Sequence, residues 1–210
     1  MRNKVLLPLF YLPPIHWFVC FTDPNYEVEF EKWENFPKQT FRNRTEIYAA
    51  NGKLKLTIPV QHTESKVYSE IKISYAESWQ RIHWRSIKSA YKNAPYFEFY
   101  EEDFQEIYEE KPEKLWEFNL TILNKILKFL RVDKSYSFSQ TYENTFPDLD
   151  LRNFFSAKNN SGMFFEEYYQ VFCEKHGFIS NLSILDLLFH LGPQSLNYLN
   201  QSRKKISLLL

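Results

Sequence analysis

The sequence predicts an α/β protein: one domain with a mixed, twisted sheet, covered by helices from its second half. Three observations lead there. Apolar and alternating runs, the signs of strands, crowd the chain ahead of Ser78. An Asn51-Gly52 pair separates two alternating stretches, as in a β-hairpin. After Ser78 the apolar spacing changes to threes and fours, the helical period. Because strands precede helices, α+β is the alternative arrangement.

The elements follow in order. Val5 to Leu12 is continuously apolar, which predicts a strand buried on both faces. Pro13-Pro14 interrupts it, and "IHWFVCF" predicts a short helix. Tyr26 to Trp33 alternates as a strand, completing a βαβ opening. The stretch "TEIYAA–NG–KLKLTIPV" predicts a hairpin on a type I′ turn with Ala50 opposite Lys53. Ile47, Ala49, Leu54, Leu56 and Ile58 then share one face, and Glu46, Tyr48, Lys55 and Thr57 the other. Extended backward, the alternation puts Arg42 and Arg44 on that second, polar face. Val67 to Ser74 reads as another strand. From Ser78, a possible helix cap, Trp79, Ile82, His83, Ser86, Ile87, Ala90 and Tyr91 form an inward stripe ending before Pro95. "DFQEIYEE" predicts a short helix. Leu115 to Leu130 is a helix with Leu115, Phe118, Ile122, Ile126 and Leu130 inward, and "SYSFSQ" alternates as a strand. "AKNNSG", 157–162, reads as a loop. Asn181 or Ser183 caps a helix that Gly192-Pro193 ends, with Asp186 in its first turn favoured by the helix dipole. A single domain over 1–200 is followed by a frayed tail over 201–210.

Composition limits the classes of function. Of the 210 residues, 44% are hydrophobic and 25% charged, ordinary for a folded domain, while aromatics reach 19%. Twenty-six cations balance 26 anions, so no global field draws nucleic acid. Four glycines are too few for a glycine-rich phosphate loop. Cys20 and Cys173 have no metal or redox spacing and read as reduced thiols. No HExxH or G-x-S-x-G occurs, and the histidines lack ligand spacing with carboxylates, so no metal is expected. Pro8, Pro13, Pro14 and His16 break the apolar start, against a signal peptide, and no run of about 18 apolar residues predicts a membrane span. The expected compartment is the cytoplasm.

One stretch stands out chemically. "KQTFRNR", Lys38 to Arg44, packs three cations and two amides into seven residues. One reading is a solvated face with Arg44 paired to Glu46, a surface pair contributing roughly 0–1 kcal/mol. The other is a binding site: Arg42 and Arg44 offer planar forks for phosphate or carboxylate, Gln39 and Asn43 orientable amides, and Lys38 a point charge.

Several phrases in this order resemble one family. They are "YLPPIHWF", "KQTFRNRTEI" with "NGKLKLTIPV", "WQRIHWRSIKSAYKNAPYFEFY" and "GFISNLSILDLLFHLGP". Together, from about Leu7 to Pro193, they resemble the WbqC-like family of bacterial proteins. His16 departs from the amide or other polar residue common at that position in relatives, and "NLSILDLLF" is nearer to Bacteroides-like versions. The resemblance implies a role near surface-polysaccharide (O-antigen) synthesis, with some members described as glycine or aminoacyl transferases. Because it includes the basic run, it favours the anion-binding reading of Arg42 and Arg44.

On that footing the expected function is transfer of an acyl or aminoacyl group to a nucleotide-linked amino sugar. The substrate is a small anion, and a nucleotide or nucleotide-sugar would serve as substrate rather than cofactor. His83 is the first choice of base and His16 the second, since imidazole exchanges protons near neutrality. A core role for His83, on the apolar stripe, is the competing reading. Lys38, Gln39, Arg42, Asn43, Arg44, Arg85, Ser86, Tyr91 and Tyr96 would bind substrate. The stripe Arg81, Arg85, Lys88 and Lys92 reads as a solvated face paired with the acids of "YEEDFQEIYEEK" rather than a nucleic-acid surface. The alternatives are a non-catalytic scaffold of a glycan pathway, or a nucleotidyl transferase-like protein with His16 at the first strand-to-helix turn.

Overall fold

The computed structural model describes residues 3–62, 64–155 and 165–206, with side chains of the last helix as far as Arg203. In chain order the elements are β1 (Asn3–Leu7), α1 (Ile15–Phe21), β2 (Tyr26–Phe30), β3 (Arg44–Ala49), β4 (Gly52–Thr57), α2 (Trp79–Tyr91), α3 (Phe97–Glu109), α4 (Leu115–Leu130), β5 (Tyr136–Phe138), β6 (Leu149–Asp150), α5 (Cys173–His176), α6 (Ile184–Leu191) and α7 (Ser195–Ile206). The stretch expected as the loop "AKNNSG" lies outside the described residues.

A parallel sheet and a separate hairpin make this an α/β fold. The sheet runs β5-β2-β1-β6, each neighbouring pair parallel. Strand β1 lies inside it, which explains a run without alternation: Val5, Leu6 and Leu7 are all buried. It stops at Leu7 because Pro8 has no N–H to offer a neighbour. The buried stretch beyond is held irregularly instead: Tyr11 N donates to the Phe41 carbonyl, and Trp17 Nε1 to that of Pro8. Helix α1, buried along its length, crosses back to β2.

The hairpin forms its own two-stranded sheet. Its pairs are Ala49–Gly52, Ile47–Leu54 and Arg44–Thr57, so Ala50 does not face Lys53. Gly52 has φ 95°, and Asn51 is not among the residues with positive φ. A left-handed glycine after a two-residue turn replaces the expected type I′ geometry. The offset shifts partners by two, so the division of faces survives. Thr45, Ile47, Leu56 and Ile58 are buried; Lys53, Lys55 and Thr57 are exposed. Tyr48, on the expected polar face, is buried too, because its hydroxyl meets the carbonyls of Phe172 and Gly177 at 2.9 and 2.8 Å.

Two further expectations are corrected. Val67 to Ser74 makes a 3-10 turn at Tyr68–Glu70 and isolated bridges, Val67 to Asn35, Lys72 to Lys114 and Ile73 to Val60, rather than a strand. The stretch expected as tail continues in α7 through Ile206. Helix α2 buries Trp79, His83, Ile87, Ala90 and Tyr91 but leaves Ile82 54% exposed. Its cations face outward, and Lys88 pairs with Glu101 of α3 at 2.5 Å. All five residues expected inward on α4 are buried.

Three distant stretches close around one point. Pro14 bridges Ser183, Ile15 N donates to Leu182 O, and Ile184 N to Pro13 O. Ser183 N in turn donates to Glu46 O of the hairpin, and its hydroxyl caps α6 at Leu185 N. Leu12, held at φ 44°, presents its carbonyl to Thr45 Oγ1 and Ser183 Oγ.

Candidate functional site

A recess of about 560 Å³ opens between the loop that joins β2 to β3 and the segment that follows β4. Two segments frame it. Residues 34–36 pair with 66–68: Phe36 N donates to Lys66 O and Tyr68 N to Glu34 O. Beyond the last hairpin pair, Ile58 N donates to Asn43 O, and Gln61 N to Lys72 O. The side chains of Phe36, Val60 and Ile71 give the recess an apolar part. The rest is amide and cation: Gln39, Asn43, Gln61, Lys38, Arg44, Lys66 and His62, with Ser65. Among the described residues no carboxylate lines it.

Two wall residues carry polar atoms without a protein partner. Asn43 is 7% exposed, and its Nδ2 donates to the Ile58 carbonyl at 2.9 Å, which fixes the amide orientation. Among the described residues its Oδ1 has no partner, nor has Arg44 Nε, and both atoms are buried from solvent. Among the described residues no ion pair engages Arg44, Lys38 or Lys66, and Glu46, the partner expected for Arg44, meets Lys53 at 3.4 Å. Gln39 holds φ 64° in the turn that precedes Phe41, a left-handed conformation uncommon outside glycine.

Arg42 does not share this recess. Its Nε and Nη2 donate to Glu34 Oε1 and Oε2 at 2.6 and 2.7 Å, and it is 3% exposed. The rings of Phe10 and Tyr68 lie 5.5 and 5.9 Å from the guanidinium carbon. Burial pushes the Glu34 carboxyl upward, against the pull of Arg42. The backward extension of the strand alternation failed because β3 starts at Arg44, and Phe41 to Asn43 form a turn.

The two expected bases lie elsewhere. His83 Nδ1 is 2.9 Å from the Tyr11 hydroxyl, which meets the Tyr108 hydroxyl at 2.5 Å, and the Trp79 ring packs 5.1 Å away. Burial lowers its pKa to about 4, with a Thr57 backbone hydrogen bond opposing. His16 is tied to Asn181: its backbone N and ring Nδ1 lie 3.0 and 2.6 Å from Asn181 Oδ1. Burial lowers its pKa to about 4 as well. Neither imidazole lines the recess.

The remaining candidates separate. Arg85 and Ser86 line a smaller cavity of about 380 Å³ against the hairpin turn. The Tyr91 hydroxyl accepts from Tyr48 N at 3.1 Å inside the core. Tyr96 packs on Gly192, where an added Cβ would lie 2.5 Å from its ring. Asp186 sits in the first turn of α6 as expected and is fully buried, accepting from Tyr168 OH at 2.6 Å and Gln170 Nε2 at 2.7 Å. A larger cavity, about 820 Å³, opens at the amino ends of β2 and β5, where Glu27 and Asp133 lie among Arg131, Lys134 and Arg203. Among the described residues no three His, Cys, Asp or Glu side chains cluster as metal ligands, and no helix is long and apolar enough to cross a membrane.

Gln61, His62 and Lys66 were missed by the sequence reading. The hairpin contained a signal for the first two: continuing its pairing past Arg44 and Thr57 carries 60–62 back alongside 39–41.

Residues 10–154 match the model of the WbqC-like protein family, a stretch that contains every residue of the recess. The chain is also 24% identical over 205 residues to the uncharacterized protein Rv1507c of Mycobacterium tuberculosis (strain ATCC 25618 / H37Rv), covering 80% of this chain and 85% of that protein. No solved structure matches.

Proposed function

Starting from the fact that this chain belongs to the WbqC-like protein family, we propose that its recess binds the diphosphate of a nucleotide-linked sugar. The carrying observation is the lining: Lys38, Arg44 and Lys66 with no carboxylate among them. Three cations match a group with at least two negative charges better than a single carboxylate, and Arg44 supplies a planar fork. A volume of about 560 Å³ is within the range of small-molecule sites.

The reaction this binding would serve is acyl or aminoacyl transfer to an amino group on that sugar. Such a step forms an amide bond while the acyl bond of an activated donor, a thioester or acyl phosphate, breaks and releases thiol or phosphate, and it needs a base to take the proton from the attacking amine. His62 is the imidazole on the recess wall and takes that role in place of His83 and His16. Arg42 supports the site from behind, by fixing the loop between Glu34 and Asn43.

The test is isothermal titration with UDP-N-acetylglucosamine, UDP and pyrophosphate. Binding of a diphosphate ligand is expected, weakened about tenfold or more in Arg44→Gln, the loss of one charge-assisted contact. His62→Ala should keep the binding and lose any transfer to a UDP-amino sugar. Undiminished binding in Arg44→Gln would place the ligand elsewhere.

A further inference from the structure

We infer that helices α2 and α3 form a docking face for a second copy of this chain, with α2 of each copy lying over α3 of the other. The observation that carries it is a pair of exposed charge rows, one cationic and one anionic, side by side on neighbouring helices.

The two helices run antiparallel. Gln80, early in α2, donates from Nε2 to the Glu110 carbonyl just past the end of α3, and the Trp79 and Tyr108 rings lie 6.4 Å apart. Toward the other end, Lys88 of α2 pairs with Glu101 of α3. Arg81, Arg85, Lys88 and Lys92 follow one another at helical spacing along α2, and all are exposed. Glu98, Glu102, Glu106 and Glu109 do the same along α3, and all are exposed. Lys88 and Glu106 have charged neighbours, in Glu101 and Lys125. Among the described residues no ion pair engages the others: Arg81, Arg85 and Lys92 on α2, and Glu98, Glu102 and Glu109 on α3. Each helix also holds a large apolar side chain in water, Ile82 at 54% and Phe99 at 76% exposure.

Symmetry and charge together select the partner and its orientation. Two copies of one face meet about a two-fold axis. An axis running across the helices would set α2 on α2, cation row against cation row, which is repulsive. An axis running along the helices sets α2 on the partner's α3. Since early α2 already lies beside late α3, Arg81 then comes level with the partner's Glu109 and Lys92 with the partner's Glu98. Opposite charges face each other along both rows, and the contact is neutral as a whole. The face is two helices wide and, at 13 residues each, about 20 Å long. That is small for a protein interface, so the dimer is weak and salt-sensitive rather than obligate.

Sedimentation equilibrium of the full chain tests this. At low salt the average mass should climb from 25.5 kDa toward a dimer as concentration rises. The dissociation constant should weaken about tenfold between about 50 and 500 mM salt. Arg81→Glu/Arg85→Glu leaves both helices acidic, and Glu98→Lys/Glu102→Lys leaves both basic; each alone should associate about tenfold less or worse. Mixed together the two variants should associate again, because the acidic α2 of one meets the basic α3 of the other. Lys53→Glu/Lys55→Glu makes the same charge change on the hairpin and should dimerise like the wild type. A wild-type chain that stays at 25.5 kDa up to about 1 mM at low salt overturns the inference. Wild-type association in both helix variants, or none in their mixture, overturns the pairing of α2 with α3. If a variant does not fold, the wild-type dilution and salt series decide alone: a monomer, or a dimer indifferent to salt, overturns it.

Discussion

Replacing Glu34 by Gln should destabilise the fold far more than a surface substitution. Arg42 is 3% exposed and receives both oxygens of Glu34, at 2.6 and 2.7 Å. A glutamine keeps the shape but turns an N–H toward one guanidinium N–H and removes the countercharge. The other hydrogen-bond partners of the cation are neutral, the Arg152 carbonyl and the Thr40 hydroxyl, each 3.5 Å away. Two charge-assisted bonds at about 1.5–3 kcal/mol each bound the loss from above. Breaking buried pairs on one side costs about 3–5 kcal/mol, and we expect Glu34→Gln to fall there. Urea unfolding at pH 7 measures it, with an unchanged denaturant slope showing that the unfolded state is the same. The double variant Glu34→Leu/Arg42→Met, set among the rings of Phe10 and Tyr68, should recover most of the loss. A cost below about 1 kcal/mol for Glu34→Gln would refute the reasoning, because it is the size of a solvated pair. The guanidinium would then be free to face a ligand.

Two other substitutions test the packing. Gly192 has φ 51°, and a Cβ there would lie 2.5 Å from the Tyr96 ring, so Gly192→Ala should cost about 2–4 kcal/mol from left-handed strain plus overpacking. Adding Tyr96→Ala to it should remove the clash and leave the strain; full recovery would deny the strain. His83 and His16 are both held near pKa 4 by burial, against 6.5 unperturbed. Their folded-state pKa is depressed, so their contribution is fully present above pH 6.5 and is lost as pH falls through 4. Each accounts for at most about 3 kcal/mol. Unfolding free energy measured between those pH values should decline, and His83→Gln should flatten the slope; a flat wild-type profile would contradict the burial.

Local periodicity carried most of the fold. Leu115 to Leu130 satisfied one helical stripe and all five of its expected core residues are buried. Tyr26–Phe30 formed within the alternating stretch, while the strand expected over Val5 to Leu12 is Asn3–Leu7, cut short at Pro8. Legibility ended where partners are distant in sequence. Val67 to Ser74 has strand-like residues, but the neighbours that took its hydrogen bonds, Glu34, Pro59 and Glu113, impose a turn and short bridges. At the site, Lys38, Gln39, Asn43 and Arg44 were readable as a cluster, and the structure brings them onto one recess. Arg42 was not separable from them by type; only Glu34, reached by a turn no pattern announced, distinguishes it. His83 looks like a base in sequence and is an interior hydrogen-bonding group in space.

The meeting of Pro14, Glu46 and Ser183 has a consequence for how the molecule is made. Ser183 Oγ reaches the Leu12 carbonyl across 171 positions of chain. A nascent chain that has emerged only as far as β6 still lacks the partners of Pro13, Ile15 and Glu46. Those groups must wait in water, or with a chaperone, for a segment synthesised later. The stretch by which the family is recognised, 10–154, thus leaves bonds open that 182–184 close, and α6 acts as a keystone rather than as an appendage.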